Sequence, residues 1–404
     1  MTTSQHSKNL ITVDEAKSLI NQHAHSFGTE TIPLSEAFGR VLAENIFSDR
    51  DYPPFNRAAM DGYAIKHQDF LSGIKVFQVK ETIYAGYEAV NEILTGECFK
   101  IMTGAAVPPS ADCIIRVEDA DFENSIVSFK VNTLKNFQNI SKKGEDGLKD
   151  TLIIKSGTKC DPTIIGALAV IGRTSVKVHK LPTVSLISTG DEIKSIHDNI
   201  TAVQIRDSNS YVLEAFLKNY QIPIKYREIV RDELSLLKEA LEKATENSIT
   251  IISGGVSAGD ADFVPQVLKL LGVIEVFHKV KLKPGKPLWF GITPQNNVVF
   301  ALPGNPVSVQ IAFKIFIEPF LRECFRMSTV EGLKLPILID RTKKVPLDEF
   351  YPACIINAPN FGVLPVKFNG SGDINATIMA TGIIFQPADM ENYLSGELVT
   401  YFPW

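Results

Sequence analysis

The sequence predicts a multidomain α/β protein: a doubly wound α/β domain, interrupted by an inserted connector and β-rich domain, followed by a C-terminal β-barrel. Its 404 residues, 45% of them hydrophobic, exceed the size of roughly 250–300 residues at which a single core stops growing. From residue 183 onward, strand-like runs alternate with helical stretches, which is typical of a largely parallel sheet. Before and after that region, short strand-like runs stand between glycine and proline residues.

The N-terminal region begins with a helix signal. Thr12 and Glu15 have the spacing of a capping box, and apolar residues then recur at helical spacing up to Ile20. A second short helix is predicted over 37–42, from the spacing of its apolar residues. Pro53 and Pro54 exclude a helix there and mark a domain boundary.

The inserted region is expected to be rich in β-structure. Strand-like runs occur between glycine and proline residues at Lys75–Val79, Cys113–Val117 and Ile126–Val131. After residue 147, glycines are spaced among aliphatic residues up to the Lys180–Pro182 segment, and this pattern indicates a connector that returns from the insertion.

The α/β domain follows from three apolar runs and two helical patterns. Strands are predicted at Val184–Ile187, Ile249–Ile252 and Val298–Leu302, with helices over 209–218 and 233–246 between them. Beyond residue 332, strand-length runs indicate a small β-barrel or sandwich. These runs are Pro336–Ile339, Ala353–Asn357, Gly362–Val366, Ile383–Phe385 and Leu398–Phe402.

Composition excludes several classes of protein. The 41 basic and 46 acidic residues give a net charge of −5 without long runs of one sign, so we expect no nucleic-acid partner. No apolar run approaches the ~18–20 residues of a membrane span. Five separated cysteines without a CxxC motif indicate reduced thiols, and a cytoplasmic location is expected. The sequence lacks the Walker A, G-x-S-x-G and H-E-x-x-H motifs, which disfavours NTPases, serine hydrolases and zinc enzymes.

Three turns rich in glycine, acidic or small polar residues each follow a predicted strand. They are Ser188–Glu192, Ser253–Asp262 and Pro303–Ser308. Loops that leave parallel strands converge at one edge of the sheet. Glycines there let backbone N–H groups approach phosphate, and paired carboxylates suit Mg²⁺. The sequence therefore predicts a site for a phosphorylated substrate with Mg²⁺.

A lysine-rich loop, Lys281–Pro287, precedes the strand that leads to the third turn. Lys283 and Lys286, placed near a helix beginning at Asn305 and Pro306, would form a pocket for a tetrahedral dianion such as molybdate, sulfate or phosphate. The start of that helix is expected to offer free N–H groups and a positive dipole to such an oxyanion. Each feature also has a simpler interpretation, because a solvated basic turn and ordinary helix-start residues give the same pattern. The segment 207–209 is equally compatible with a helix cap and with nucleotide or pterin contacts.

Taken together, these strings resemble the molybdopterin molybdenumtransferase family, which includes the E domain of gephyrin. The resemblance rests on Ala59–Ala64, Ile101–Ala105, Gly144–Asp146, Ser188–Glu192, Ser253–Asp262, Lys283–Pro287 and Leu302–Ser308, in family order. It implies an enzyme that inserts molybdenum from molybdate into adenylated molybdopterin, with Mg²⁺ as cofactor and release of AMP. The doubly wound domain would bind the molybdopterin.

The resemblance also implies residue roles. Catalytic positions would be Asp61, Thr103, Asp146, Glu192 and Asp262. The metal would be held by Asp191, Glu192, Asp260 and Asp262. Substrate and cofactor would contact Gly190, Asp191, Asp207, Ser208, Gly254, Gly255, Ser257, Lys283, Lys286, Pro303, Gly304, Asn305, Pro306 and Ser308. In the C-terminal part, only Ser371 corresponds to a ligand contact.

The family architecture implies four domains and a homodimer. The α/β domain would comprise 8–22 and 182–331, the elongated connector 23–50 and 147–181, the inserted β-rich domain 51–146, and the β-barrel 332–404. Asp61, Thr103 and Asp146 would then complete the site of the other subunit. Further partners implied are a molybdopterin adenylyltransferase and the apoenzymes that accept the cofactor.

An alternative hypothesis from the same resemblance is a non-catalytic scaffold that binds peptides, as the gephyrin E domain does. A fused adenylyltransferase domain or a long linker would favour the scaffold. The sequence shows neither, so we expect the enzyme.

Overall fold

A computed structural model describes residues 10–256 and 263–404. The chain forms two compact units. The larger unit comprises Met1–Glu44, Ser156–Ile165 and Thr174–Trp404, and the smaller unit comprises Asn45–Lys155 and Gly166–Arg173. The finer division into four domains remains a prediction.

The helices of the described residues are short, none longer than Leu234–Ala244. In chain order they are α1 (Val13–Asn21), α2 (His67–Leu71), α3 (Pro162–Val170), α4 (Asn209–Lys218), α5 (Leu234–Ala244), α6 (Val264–Leu270), α7 (Pro306–Ala312), α8 (Glu318–Cys324) and α9 (Ile374–Met379), with a π-helical segment, Phe313–Ile317, joining α7 to α8.

The strands of the described residues are, in chain order, β1 (Thr29–Pro33), β2 (Ile46–Phe47), β3 (Arg57–Ala58), β4 (Gly62–Ile65), β5 (Val76–Ile83), β6 (Glu97–Ile101), β7 (Cys113–Arg116), β8 (Ala120–Glu123), β9 (Ile126–Phe129), β10 (Ile140–Ser141), β11 (Leu152–Ile154), β12 (Ser175–His179), β13 (Val184–Thr189), β14 (Ile193–Lys194), β15 (Ile205–Arg206), β16 (Ile224–Val230), β17 (Ile249–Ser253), β18 (Ile274–His278), β19 (Leu282–Lys283), β20 (Trp289–Ile292), β21 (Val298–Leu302), β22 (Leu333–Pro336), β23 (Arg341–Thr342), β24 (Asp348–Ile356), β25 (Gly362–Pro365), β26 (Gly382–Gln386), β27 (Asn392–Tyr393) and β28 (Leu398–Pro403).

A six-stranded mixed sheet forms the centre of the larger unit. Its order is β16-β13-β17-β21-β20-β18, in which the first four strands pair parallel and β20 pairs antiparallel with both β21 and β18. Val184 pairs with Ile249, which pairs with Val298, so the parallel strands start level with one another. Their carboxyl ends, and the turns that follow, therefore lie at one edge of the sheet.

Apolar side chains cover both faces of this sheet. Alternate residues of β21, Phe300 and Ala301, belong to separate apolar clusters because successive side chains of a strand point to opposite faces. Helices α1, α4, α7 and α8 contribute to the cluster of Phe300, and α5 and α6 to that of Ala301. The α/β multidomain fold predicted from the sequence is thus confirmed.

The C-terminal segment forms a second six-stranded sheet, and its first strand comes from the lysine-rich loop. The order is β19-β24-β26-β28-β22, with β25 paired to β24. Strand β19 lies parallel to β24, with Lys283 opposite Glu349. An isolated bridge joins Ile337, just after β22, to Val363 of the branch strand β25.

The two N-terminal helix predictions have opposite outcomes. The capping box is confirmed, since Thr12 accepts from the backbone N–H of Glu15 and the Glu15 carboxylate accepts from that of Thr12. The helix predicted over 37–42 is wrong. Gly39 has φ of +78°, and the N–H of Leu42 donates to the carbonyl of Thr158, so pairing with a distant segment replaces the helix.

The smaller unit contains a six-stranded sheet of order β7-β4-β6-β5-β9-β8, antiparallel except between β5 and β6. Two apolar clusters pack in this unit, one around Phe99 and one around Phe77. Across both units, the described helices include none that is long and apolar enough to cross a bilayer.

All five cysteines are free, and four of them are buried. Burial raises the pKa of the Cys98, Cys113 and Cys324 thiols to about 12 and that of Cys160 to about 11. Because the thiolate is the reactive form, we predict that Ellman's reagent at pH 8 modifies one thiol quickly, the half-buried Cys354. The other four should react only after unfolding, and Cys354→Ser should remove the fast phase. Several fast thiols in that variant would contradict the assignment.

Candidate functional site

A cavity of about 970 Å³ lies at the carboxyl ends of β13, β17 and β21 in the larger unit. Its walls come from the three predicted turns, from the lysine-rich loop and from a loop of the C-terminal segment. The predicted residues that line it are Gly190, Glu192, Asp207, Ser208, Gly254, Gly255, Lys283, Lys286, Pro303, Gly304, Asn305, Pro306 and Ser308.

The remaining predicted residues are placed elsewhere or lie outside the described part of the chain. Asp191 is exposed beside the cavity, where its Oδ1 lies 3.2 Å from Nε of Arg231. The predictions on Ser257, Asp260 and Asp262 fall on residues outside the described ranges. Asp61, Thr103 and Asp146 belong to the smaller unit.

Close backbone approach explains the glycines of the second turn. Gly254 has φ of +102°, and a Cβ there would lie 2.3 Å from the carbonyl oxygen of Thr189. Gly255 has φ of +64°, and its Cβ would lie 2.7 Å from Val264. A side chain at Gly304 would be 3.6 Å from the Cα of Gly254. The three turns therefore pack backbone against backbone, which only glycine permits at Gly254.

Asp207 is a buried carboxylate fully engaged by serines. It accepts from Ser188 Oγ at 3.0 Å and from Oγ and the backbone N–H of Ser210 at 2.6 and 3.1 Å. The last of these bonds satisfies an N–H group in the first turn of α4, whereas the N-cap residue itself, Ser208, makes no side-chain capping bond. Asn209 donates to the carbonyl of Gly304 at 2.7 Å. These bonds tie α4 to the first and third turns.

The lysine-rich loop presents two ammonium groups to the cavity, and they have different surroundings. Lys283 Nζ lies 2.9 Å from Oε1 of Glu349. Burial would raise the pKa of the Glu349 carboxyl, but hydrogen bonds from Arg341 and Lys283 outweigh it and hold that pKa below its ordinary value. Lys286 is exposed and has no carboxylate partner among the described residues. Its charge is available to an anion.

The start of α7 is less open than the sequence indicates. Asn305 is the N-cap and Pro306 the first helical residue, as predicted. However, the N–H of Val307 donates to the carbonyl of Ser371 at 3.1 Å, and Asn305 Nδ2 donates to Ser371 Oγ at 2.8 Å. The expectation that this helix start leaves its N–H groups free for an oxyanion is therefore corrected for Val307. Ser308 lines the cavity and is 2% exposed.

Sequence reasoning missed several residues of the cavity wall. Outside the predicted turns, the lysine-rich loop and the 207–209 segment, they are Ile193, Ile205, Arg206, Asp232, Leu347, Phe368, Gly370, Gly372 and Ile374. Ser371, for which the resemblance implies a ligand contact, also lines the cavity. The glycines of 370–372 were a usable signal, because a glycine-rich loop can approach a ligand or another backbone closely. Leu347 and Phe368 carried no such signal.

Asp61 and Thr103 meet in the smaller unit, although they are far apart in sequence. Asp61 Oδ1 accepts from the backbone N–H and the hydroxyl of Thr103 at 2.7 and 2.6 Å. These two bonds hold the pKa of Asp61 below its ordinary value. Asp146 is exposed, and its N–H donates to the carbonyl of Tyr52 at 2.9 Å.

The Asp61–Thr103 pair gives a pH-dependent prediction. Because the bonds favour the ionised carboxylate, their contribution is present above the ordinary Asp pKa and is lost as pH falls through the lowered value. Thr103→Val removes the hydroxyl donor, so the pKa of Asp61 should rise toward its ordinary value. Carboxyl carbon NMR titration measures this, with Thr82→Val as the control. An unchanged Asp61 titration would show that the hydroxyl bond is not formed in solution.

Among the described residues, no three His, Cys, Asp or Glu side chains come together as a metal site. Glu192 in the cavity wall and Asp191 beside it are the two described members of the predicted set. Mg²⁺ takes oxygen ligands and commonly uses one or two carboxylates with substrate phosphates. The donor type therefore fits Mg²⁺ when a phosphorylated ligand supplies the other oxygens.

The fold and the cavity define a class of protein. Glycine turns at the carboxyl ends of parallel strands, in one cavity wall with a lysine-rich loop, are typical of α/β proteins that bind anionic small molecules. The comparisons with known proteins narrow this class to one family.

Two family models match the chain. Residues 11–172 match the MoeA N-terminal region (domain I and II), and residues 185–323 match the model described as "Probable molybdopterin binding domain". The molybdopterin molybdenumtransferase of Staphylococcus aureus (strain MSSA476) is 30% identical over 97% of this chain and 95% of its own length. The protein of the same name from Synechocystis sp. is 29% identical over 98% of this chain and 100% of its own length.

A solved structure agrees with the sequence matches. The molybdopterin biosynthesis moeA protein from Pyrococcus horikoshii OT3 has a TM-score of 0.84 and 29% identity, covering 98% of this chain and 100% of that one. The chain belongs to the molybdopterin molybdenumtransferase family, and it is an enzyme of molybdenum cofactor biosynthesis.

Proposed function

We propose that this enzyme inserts molybdenum from molybdate into adenylated molybdopterin and releases AMP in an Mg²⁺-dependent reaction. The observation that carries the proposal is the cavity, which gathers three glycine turns and two lysines at one edge of the sheet. The names of the relatives support the same reaction class.

Different residues of the chain would bind the two anionic substrates, the adenylate and molybdate. Backbone N–H groups of the first two turns would bind the adenylate phosphates, because glycine lets phosphate approach the backbone. The N–H groups of Gly190 and Gly254 themselves donate to the carbonyls of Val230 and Leu302, so other donors of these turns would contact the phosphates. Lys283, Lys286 and Ser308 would bind molybdate by charge and hydrogen bonding. The acids Asp191 and Glu192, with Asp260 and Asp262, would hold Mg²⁺. When bound, Mg²⁺ neutralises charge that develops as the phosphoanhydride bond breaks.

The same proposal includes a homodimer in which Asp61, Thr103 and Asp146 complete the site of the other subunit. The hydrogen-bonded pair of Asp61 and Thr103 supports it, since an exposed acid fixed by two donors is preorganised to meet a ligand. We also propose that the C-terminal segment is a closed β-barrel, which the bridge between Ile337 and Val363 supports. An adenylyltransferase and acceptor apoenzymes would be the partners that deliver substrate and take product.

The test is AMP release from adenylated molybdopterin by the purified full chain with Mg²⁺, measured while molybdate is titrated. Sulfate, also a tetrahedral dianion, is the control at matched ionic strength. We expect AMP release that depends on molybdate and not on sulfate, and that stops when EDTA removes Mg²⁺.

Two outcomes would contradict the proposal. AMP release that does not depend on molybdate would indicate that the protein hydrolyses the adenylate. It would also contradict the proposed binding of molybdate by Lys283 and Lys286. Tight binding of the adenylate without any AMP release would instead favour the scaffold hypothesis.

A further inference from the structure

A buried carboxylate lies between the lysine-rich loop and the rest of the C-terminal sheet. Glu349 is 6% exposed. Its Oε1 lies 2.9 Å from Lys283 Nζ, and its Oε2 lies 2.8 Å from Nη2 of Arg341. The parallel pairing of β19 with β24 places Lys283 and Glu349 opposite each other in register. The pairing of the two strands and the ion pair between the two side chains therefore both hold Lys283 next to Glu349.

Arg341 is itself held from several directions. Its Nη1 donates to Oε1 of Gln386, and its guanidinium carbon lies 3.5 Å from the ring centroid of Tyr351. Gln386 is fully buried and donates to the carbonyls of Met390 and Glu391, each at 3.0 Å. The position of the Glu349 carboxylate is thus determined by groups of the C-terminal sheet.

Lys283 keeps part of its ammonium available. Its side chain is 47% exposed and lines the cavity, while the Glu349 side chain is 8% exposed. Ordering a long flexible side chain at the moment of binding costs roughly 2- to 12-fold in affinity. A lysine that is already held by a fixed carboxylate avoids most of that cost.

We infer that Glu349 is a positioning residue, which holds the ammonium of Lys283 at the cavity and so lowers the molybdate concentration that the enzyme needs. The inference rests on the proposed function, and it adds a residue to which neither the family resemblance nor the comparisons give a role. Glu349 is paired with two cations, Lys283 and Arg341, so this group of three side chains keeps one net positive charge.

Replacing Glu349 has two opposing effects on anion binding. Glu349→Gln adds one net positive charge near the cavity, which attracts any anion, but it also releases Lys283 to move in water. Because Lys283 is half exposed, water and salt screen the added charge. We therefore expect the loss of position to dominate.

The experiment is a double-mutant cycle on molybdate-dependent AMP release, with E349Q, Lys283→Met and the double variant. E349Q should raise the KM for molybdate about 3- to 10-fold with kcat changed less than about 2-fold. In the Lys283→Met background, E349Q should change that KM less than about 2-fold, because Glu349 acts through Lys283. Glu30→Gln, which breaks the ion pair with Arg40 elsewhere in the larger unit, is the matched control and should leave KM unchanged.

The outcomes separate this inference from the proposed function. Wild-type protein without molybdate-dependent release would contradict the proposed function itself. Wild-type activity with a lower KM in E349Q, or with an equal KM increase in the Lys283→Met background, would overturn the positioning role. If thermal unfolding shows that E349Q is not folded, Arg341→Gln replaces it, because it loosens the same carboxylate. The cycle with Lys283→Met then has the same contradicting outcomes: a lower KM for molybdate, or an equal KM increase in the Lys283→Met background.

Discussion

Gly254→Ala is expected to destabilise the larger unit and to abolish most of the turnover. A left-handed conformation costs a residue with a side chain about 1–2 kcal/mol, and forcing an extra methyl into a packed site costs about 1–3 kcal/mol more. Both penalties apply at Gly254, where φ is +102° and the Cβ would lie 2.3 Å from a backbone oxygen. The free energy of unfolding should therefore fall by about 2–5 kcal/mol. Calorimetric unfolding measures this loss, and the AMP assay measures the loss of turnover.

Gly396→Ala is the matched control for this prediction. Gly396 also has positive φ, +94°, but a Cβ there would meet nothing within 4 Å. The free energy of unfolding of the Gly396→Ala variant should fall only by the cost of the left-handed conformation, about 1–2 kcal/mol, and the variant should keep its activity. Equal losses in the two variants would mean that the contact with Thr189 is relieved by a backbone shift and that the turn is not as rigid as its geometry indicates.

Lys286→Ala should have the largest effect on molybdate use among the lysine variants. A hydrogen bond to a charged group contributes about 1.5–3 kcal/mol, which corresponds to an increase of about 10- to 100-fold in the KM for molybdate. Lys283→Ala should raise that KM about 10-fold, because Lys283 shares its charge with Glu349. Affinity for the adenylate should fall much less in both variants.

Lys281→Ala tests whether this effect comes from position or from charge alone. Lys281 belongs to the same loop and is exposed, but it does not line the cavity. It should leave the KM for molybdate within about 2-fold of the wild-type value, since exposed charges at a distance are screened by salt. A large effect of Lys281→Ala, or equal losses of molybdate and adenylate binding in Lys286→Ala, would argue against a discrete oxyanion pocket.

Local patterns predicted the parts of the molecule that local forces determine. The capping box of Thr12 and Glu15 lies within one helical turn, and the strand Val298–Leu302 has the bounds that its apolar run predicts. The helix expected over 37–42 failed because Leu42 finds its partner in Thr158, across more than a hundred residues. A helical pattern in the sequence cannot show that a distant strand competes for the same backbone groups.

In the candidate site too, local sequence patterns predicted some features, whereas contacts with distant segments could not be predicted. Glycine turns after strands located the cavity, because parallel topology brings such turns to one edge. The partner of Lys283 could not be located in this way, since Glu349 is one of two adjacent acids, with Asp348, and no pattern links either of them to the lysines. Ser371 approaches Asn305 for a similar reason: the contact depends on how the C-terminal segment packs, which no local spacing encodes.

The shared strand β19 also limits how this protein can be divided or recombined. Its residues Leu282 and Lys283 directly precede β20 and β21 of the α/β sheet in the sequence, yet they complete a ladder whose other strands come from the last part of the chain. A chimera that exchanges the segment after residue 332 with that of a relative would have to supply an acceptor opposite Lys283 and a backbone carbonyl for Val307. The cavity wall therefore depends on the C-terminal segment, which cannot be exchanged without also replacing these two contacts.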